Sequence, residues 1–294
     1  MTGRASPTIA FFGTPSQFSA LALERLTASW NVVAIILPNS GGLRQWVLRR
    51  IGLVPPSAIE HRARKHGIPT ARWIAGEQGR APELLRRTKP DLICVASFPK
   101  LIPFSLIGDA PLGAINLHPS LLPRHRGPLP LFWTYHADDR VAGATVHHLT
   151  ERYDAGDIVM QHGFPLPRGY PMKKLDDDVA VHGAKLLDAA VEALTANRAR
   201  RIVQDERAAT LAPRIRRQSP MVNFGEWDVE RVWHFLAGLC PGFREPLTDS
   251  DGAAVIYNKV PGFERGSSST IGSVETVDTG WRLHCRGGRV LLGR

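Results

Sequence analysis

Residues 114–127 read AINLHPSLLPRHRG. The stretch opens as an apolar strand over residues 114–117 and then turns polar, with Asn116 and His118 at the point where the strand gives out. Pro119 and Pro123 follow at once, in a turn that also carries Arg124 and Arg126. In an open parallel sheet, ligands bind beyond the carboxyl ends of the strands, which is where this pair falls. The two-residue period of a strand sends Asn116 and His118 to the same side. An asparagine amide is an uncharged donor for a developing oxyanion, and a histidine moves protons near neutral pH. A blander reading stays open on these residues alone: Asn116 caps the turn and His118 is a polar group satisfied inside the fold.

Working outward, apolar runs at residues 8–12, 32–37 and 92–96 alternate with helical patterns at 16–28, 56–66, 81–87 and 130–135. Each run is continuously apolar, as a strand covered on both faces must be. A doubly wound α/β sheet is the expectation. Residues 142–149 and 157–164 read as two further strands, and 172–197 as a long helix. Beyond Arg198 the texture changes to one helix near 229–239 and short β-like segments, AAVIYN, STIGSV, WRLHC and RVLLG. These predict a small barrel or sandwich, and the division expected is a catalytic domain over 1–205 and a small β domain over 206–294.

Composition narrows the class. The 294 residues are 43% hydrophobic, enough to fill a core, and no apolar run approaches the roughly 18 residues of a membrane helix. Met1 to Pro7 lack the pattern of a signal peptide, so a soluble cytoplasmic protein without membrane partners is expected. Cys94, Cys240 and Cys285 are too scattered for a disulfide framework or a metal pair. The net charge of +10 calls for an acidic ligand, a polyanion or plain solvated surface. It is clumped at Arg44, Arg49, Arg50, Arg62, Arg64 and Lys65, and again over residues 198–217, where seven arginines face Asp205 and Glu206. No aromatics are interleaved with that second clump, so base stacking is not indicated there.

Two more sites could carry chemistry. Gly13, Thr14 and Pro15 close the first strand and open the first helix, where an α/β fold brings its backbone near a ligand. The turn lacks GxGxxG, so neither ATP nor NAD is indicated. Asp154, in RYDAGDIV, sits in a turn with Gly156 between the strands at 142–149 and 157–164. A carboxylate there could reach His118, hold its tautomer and raise its basicity.

INLHPSLLPRHRG followed by DAGDIV resembles the formyltransferases that use 10-formyltetrahydrofolate. IAFFGTP, PPSAIEHRARKHGIP, ATLAPRIRR and VWHFLAGLCPGF extend the resemblance over nearly the whole chain. It implies a Rossmann-like domain with a small open β-barrel behind it, and a strand at the GIP segment. It also implies catalytic roles for Asn116, His118 and Asp154, and no metal. Folate would be held near Ser97, Leu101 and Ile102 and near Thr150, Arg152 and Tyr153, although SFPKLIP replaces a glycine-containing turn common in the family. Gly13, Thr14, Pro15, Arg126 and His147 are the acceptor-side candidates.

The family includes methionyl-tRNA formyltransferases and sugar-amine formyltransferases, and the residues divide between them. The positive charge and the basic loop over 38–55, with Arg44, Trp46, Arg49 and Arg50, suit tRNA as a partner. That loop otherwise departs from the QPD…GRGK pattern of the tRNA branch, VNFGEW stands where IDW is usual, and His147 in ATVHHL resembles the small-molecule branches. A small-molecule amine is therefore the expected acceptor, with methionyl-tRNA as the alternative. Hydrolysis of formyltetrahydrofolate and a non-catalytic nucleic-acid-binding role are the remaining alternatives.

Overall fold

The computed structural model describes residues 6–39, 55–73, 79–216, 219–268 and 270–294. Two compact units result. The first comprises Met1–Gly127, Gly143–Gly163 and Asp177–Leu211; the second comprises Pro128–Ala142, Phe164–Asp176 and Ala212–Arg294.

The first unit is built on a seven-stranded sheet. Its strands are β1 (Thr8–Gly13), β2 (Asn31–Pro38), β3 (Thr70–Trp73), β4 (Leu92–Ala96), β5 (Ala114–His118), β6 (Val141–His148) and β7 (Ile158–Pro165), in the spatial order β3-β2-β1-β4-β5-β6-β7. From β3 to β5 the pairing is parallel, as the apolar runs predict. All five residues of β4 are buried, and in β1 every residue after Thr8 is. The family resemblance placed a strand at GIP (residues 67–69); β3 begins at the next residue, Thr70. Helix α1 (Gln17–Ser29) is capped by Ser16, and α2 (Ala58–Lys65) opens with a capping box between Ser57 and Glu60. α3 (Arg80–Thr88) and the single turn α4 (Phe104–Ile107) complete the crossovers. The basic loop over 40–54 lies outside the described residues.

β6 pairs with β5 antiparallel, matching Asn116 to His147 and His118 to Thr145. Directly opposed residues project from the same face. Asn116, His118, Thr145 and His147 therefore share one side of the sheet, a consequence of pairing direction that no single strand reveals.

In the second unit, α5 (Pro130–His136) and α7 (Val229–Leu239) pack through an aromatic cluster. Phe132 and Phe235 meet edge to face at 5.6 Å between centroids, and each also meets Phe243, at 5.2 and 5.6 Å. Gly238 lets the helices close: a Cβ there would stand 2.1 Å from Tyr135. The long helix α6 (Met172–Thr195) begins in this unit and continues in the first. A separate four-stranded antiparallel sheet follows, from β8 (Lys259–Arg265), β9 (Val274–Val277), β10 (Gly280–Cys285) and β11 (Gly288–Gly293), in the order β8-β11-β10-β9.

The two segments read as WRLHC and RVLLG are strands, but AAVIYN is not, and of STIGSV only Val274 joins one. The strand passed over is KVPGFER. Pro261 and Gly262 read as a turn, yet β8 is an edge strand, and its register slips between Leu291 and Gly293 opposite Pro261, where a missing N–H costs no ladder bond.

Candidate active site

Asp154 is the hub. Its turn leaves β6, and the residue takes a left-handed conformation, φ +51°, which aspartate tolerates better than most side chains. Gly156 completes the turn because only glycine fits: a Cβ would lie 1.9 Å from the carbonyl oxygen of His148. The carboxylate is thereby aimed at the strand ends. Oδ2 accepts from the main-chain N–H of Gly127 at 2.9 Å. Oδ1 lies 3.4 Å from Asn116 Nδ2, 3.6 Å from His118 Nδ1 and 3.6 Å from His147 Nε2.

Hydrogen bonds on the far side of each ring define the tautomers. His118 Nε2 lies 2.9 Å from the carbonyl oxygen of His125, an acceptor only, so Nε2 carries the proton and Nδ1 is left with a lone pair beside Asp154. Likewise His147 Nδ1 donates to the carbonyl oxygen of His148 at 2.9 Å, which makes Nε2 the acceptor. That acceptor faces Asn116 Nδ2 at 3.1 Å. The amide of Asn116 is thus oriented from two sides, with the hydrogen toward His147 well bonded and the one toward Asp154 only loosely so.

The electrostatics follow from burial and neighbours. Burial pushes the pKa of His118 down, outweighing the Asp154 carboxylate and the His125 carbonyl, which push it up. His118 is therefore neutral at pH 7. Burial alone would raise Asp154, but His118, His147 and the Gly127 N–H outweigh it and hold the carboxyl at about 2. An ionised carboxylate beside a neutral imidazole whose lone pair faces it is an arrangement able to take up a proton and stabilise it there.

The loop over residues 119–127 is fixed from outside. Thr145 Oγ1 donates to the Ser120 carbonyl at 2.6 Å and accepts from the Leu122 N–H at 3.1 Å. Gln161 donates to the Leu122 carbonyl at 2.8 Å, and Thr210 Oγ1 accepts from the His125 N–H at 2.8 Å. Sequence reasoning passed over Thr145, Gln161, Thr210 and Gln204, because their contacts come from register and from chain returning after long intervals.

Of the acceptor-side candidates, His147 is 1% exposed and Arg126 6%, and both are bonded within the protein. Arg126 binds Gln204 and Glu206. Gly13 ends β1 and Thr14 opens the turn after it, two strands away from β5 in the sheet, and Pro15 is exposed. Ser19 ties that turn to β4 by accepting from the Thr14 N–H and donating to the Ala96 carbonyl, at 3.0 and 2.7 Å. Among the folate-side candidates, Ser97 has φ +59°, Leu101 is 45% exposed and Ile102 is buried in the core. Thr150 donates to the Arg152 carbonyl at 3.0 Å, Arg152 pairs with Glu206 at 3.1 Å, and Tyr153 is 65% exposed.

Residues 8–191 match the family model described as formyl transferase. The chain belongs to that family. Its activity is N-formyl transfer with 10-formyltetrahydrofolate as formyl donor. The formyltransferase is 30% identical over 293 residues to the methionyl-tRNA formyltransferase of Syntrophus aciditrophicus (strain SB), covering 98% of this chain and 90% of that protein. It is 32% identical over 235 residues to the methionyl-tRNA formyltransferase of Geobacillus sp. (strain WCH70), covering 79% and 71%. Among solved structures, the N-formyltransferase from Helicobacter canadensis, in complex with folinic acid and dTDP-3-aminofucose, superposes with a TM-score of 0.72. At 13% identity it covers 97% of this chain and 98% of its own, and shows that the two share a fold. No helix among the described residues is long and apolar enough to cross a membrane.

Proposed function

We propose that the formyltransferase delivers the formyl group to the primary amine of a small molecule, such as an amino sugar or an amine on a natural-product scaffold, with Asn116, His118 and Asp154 as its catalytic groups. The convergence of Asn116 Nδ2 and His118 Nδ1 on one oxygen of Asp154, at 3.4 and 3.6 Å, carries the catalytic part of this reading.

Ser97, Leu101 and Ile102 on the loop after β4 and Thr150, Arg152 and Tyr153 after β6 would hold the folate. The exposed Leu101 and Tyr153 offer apolar faces suited to a flat heteroaromatic ring. Phe98 and Leu149, from the same two loops, pack against one core cluster, which keeps the loops neighbours. The folate supplies an electrophilic formyl carbon when bound. Around it, His118 Nδ1 would accept the proton that the attacking amine must lose and return it to the donor nitrogen as its bond to the formyl carbon breaks, while the ionised Asp154 stabilises the intervening imidazolium. Asn116 donates to the oxygen on which negative charge develops, using the loosely held hydrogen that faces Asp154.

The preference for a small acceptor rests on the sequence: the loop over 38–55 departs from the QPD…GRGK pattern of the tRNA branch, and VNFGEW stands where IDW is usual. Gly13, Thr14 and Pro15 are our candidates for the acceptor side, whereas the burial of His147 and Arg126 argues against the acceptor contact expected of them. Methionyl-tRNA is the second reading, favoured by the similarity to methionyl-tRNA formyltransferase along 98% of the chain.

Incubation with 10-formyltetrahydrofolate and either nucleotide-linked amino sugars or charged initiator tRNA, with the folate product followed by absorbance, separates the two. Formylation confined to the small amines is expected. Efficient formylation of the charged tRNA would replace the small acceptor with tRNA and leave the catalytic groups in place.

A further inference from the structure

We infer that Gln204 is a positioning residue for catalysis, with its side-chain amide clamping the turn that presents Asp154. The inference rests on the catalytic assignment of Asp154 above.

Gln204 lies at the domain boundary expected from the sequence, yet it is 6% exposed, in a protein interior that rarely takes an unpaired amide. Its Nε2 donates to the carbonyl oxygens of Asp154 and Gly156, at 3.0 and 2.7 Å, so both hydrogens are used on a single turn. Its Oε1 accepts from Nε and a terminal nitrogen of Arg126, at 3.0 and 2.7 Å. Arginine only donates, so it must face Oε1, and the amide can then point only one way.

Arg126 is itself anchored by Glu206, through bonds of 3.0 and 3.1 Å. The next residue along is Gly127, whose N–H binds the Asp154 carboxylate. Arg126 and Gly127 therefore reach Asp154 twice: the glycine N–H holds the carboxylate, and the arginine, through Gln204, holds the main chain. A left-handed aspartate whose carboxylate must meet Asn116 and His118 together needs both its backbone and its head fixed. Positioning errors of about 1 Å at such a group cost on the order of 100-fold in rate.

Gln204→Glu isolates the clamp. It preserves shape and pairs with Arg126 at least as well as the amide does, but it has no N–H to give the two carbonyls. The expected result, measured with the full chain and the amine acceptor on which it turns over, is a kcat lowered about 10- to 100-fold with KM for the folate donor within about twofold of wild type.

In Gln204→Met, which adds no charge, the acid limb of the kcat profile should also move to lower pH, because His118 loses the carboxylate that raises its proton affinity. The other charged or titratable groups around that pair are His125 and Arg126 on the loop after β5, His147 and His148 on β6, and Glu206 behind Arg126; none is altered. A role confined to stability would lower the melting temperature and leave kcat and the acid limb where they are.

Gln204→Met, apolar and of similar length, also carries the kcat readout if the glutamate variant does not fold. Wild-type kcat and acid limb in a folded variant would overturn the inference. An Asp154→Asn control separates the two levels: full activity there removes the catalytic assignment itself, whereas loss there with an unaffected Gln204→Glu removes only the clamp.

Discussion

Asn116 and His147 face each other across β5 and β6, with the amide nitrogen 3.1 Å from the imidazole Nε2. The asparagine is held ready by its strand partner. Asn116→Ala should fold normally and lose on the order of 10²–10³ in turnover, the usual cost of one oxyanion donor. His147→Leu should cost about tenfold by releasing the amide, and His147→Gln, which restores an acceptor, should recover part of that loss. Single-turnover rates measure all three, and an unchanged rate in His147→Leu would show that Asn116 holds its own orientation.

Asp154→Asn should be more damaging than Asn116→Ala, with about 10³–10⁴ lost at neutral pH, because the charge that stabilises protonated His118 is gone. The comparison should be made on kcat. A pH–rate profile unaltered by the substitution would take Asp154 out of the mechanism.

Stability should rise with pH across the acid range. Asp154 titrates at about 2 in the fold against an ordinary 3.8, so its contribution is present above about 3.8 and lost as pH falls toward 2. That amounts to about 2 kcal/mol for the carboxylate. His118 adds to the loss from higher pH: its pKa is depressed below 6.5, so the unfolded chain binds a proton that the fold refuses. Urea midpoints should decline from pH 7 to pH 3, and Asp154→Asn should flatten the lower end of that decline.

Gly156→Ala drives a Cβ to within 1.9 Å of the His148 carbonyl oxygen, and the turn must open to admit it. A loss of about 3 kcal/mol is expected, or on the order of 6–12 °C in melting temperature. Activity should fall with it, because the displaced turn carries Asp154.

Much of this site can be read along the chain, because β5 supplies Asn116 and His118 two residues apart and the glycine after Asp154 marks a tight turn. What escapes such reading is pairing direction and return contacts. His147 becomes the partner of Asn116 only because β6 runs antiparallel to β5, and Gln204 meets Asp154 across 50 residues of sequence. β8 escaped for a local reason: Pro261 and Gly262 imitate a turn in an edge strand that tolerates both.

The bond between Gln204 and the turn at Asp154 also has a bearing on the order of biosynthesis. On the ribosome, Asn116, His118 and Asp154 are all made well before the glutamine that steadies the last of them. A nascent chain emerging at about 5–20 residues per second would hold the three proposed catalytic groups for several seconds before the clamp arrives. On that proposal the formyltransferase would become competent late in its own synthesis, and a fragment ending within the long helix α6 would carry Asn116, His118 and Asp154 while lacking the means to keep them in register.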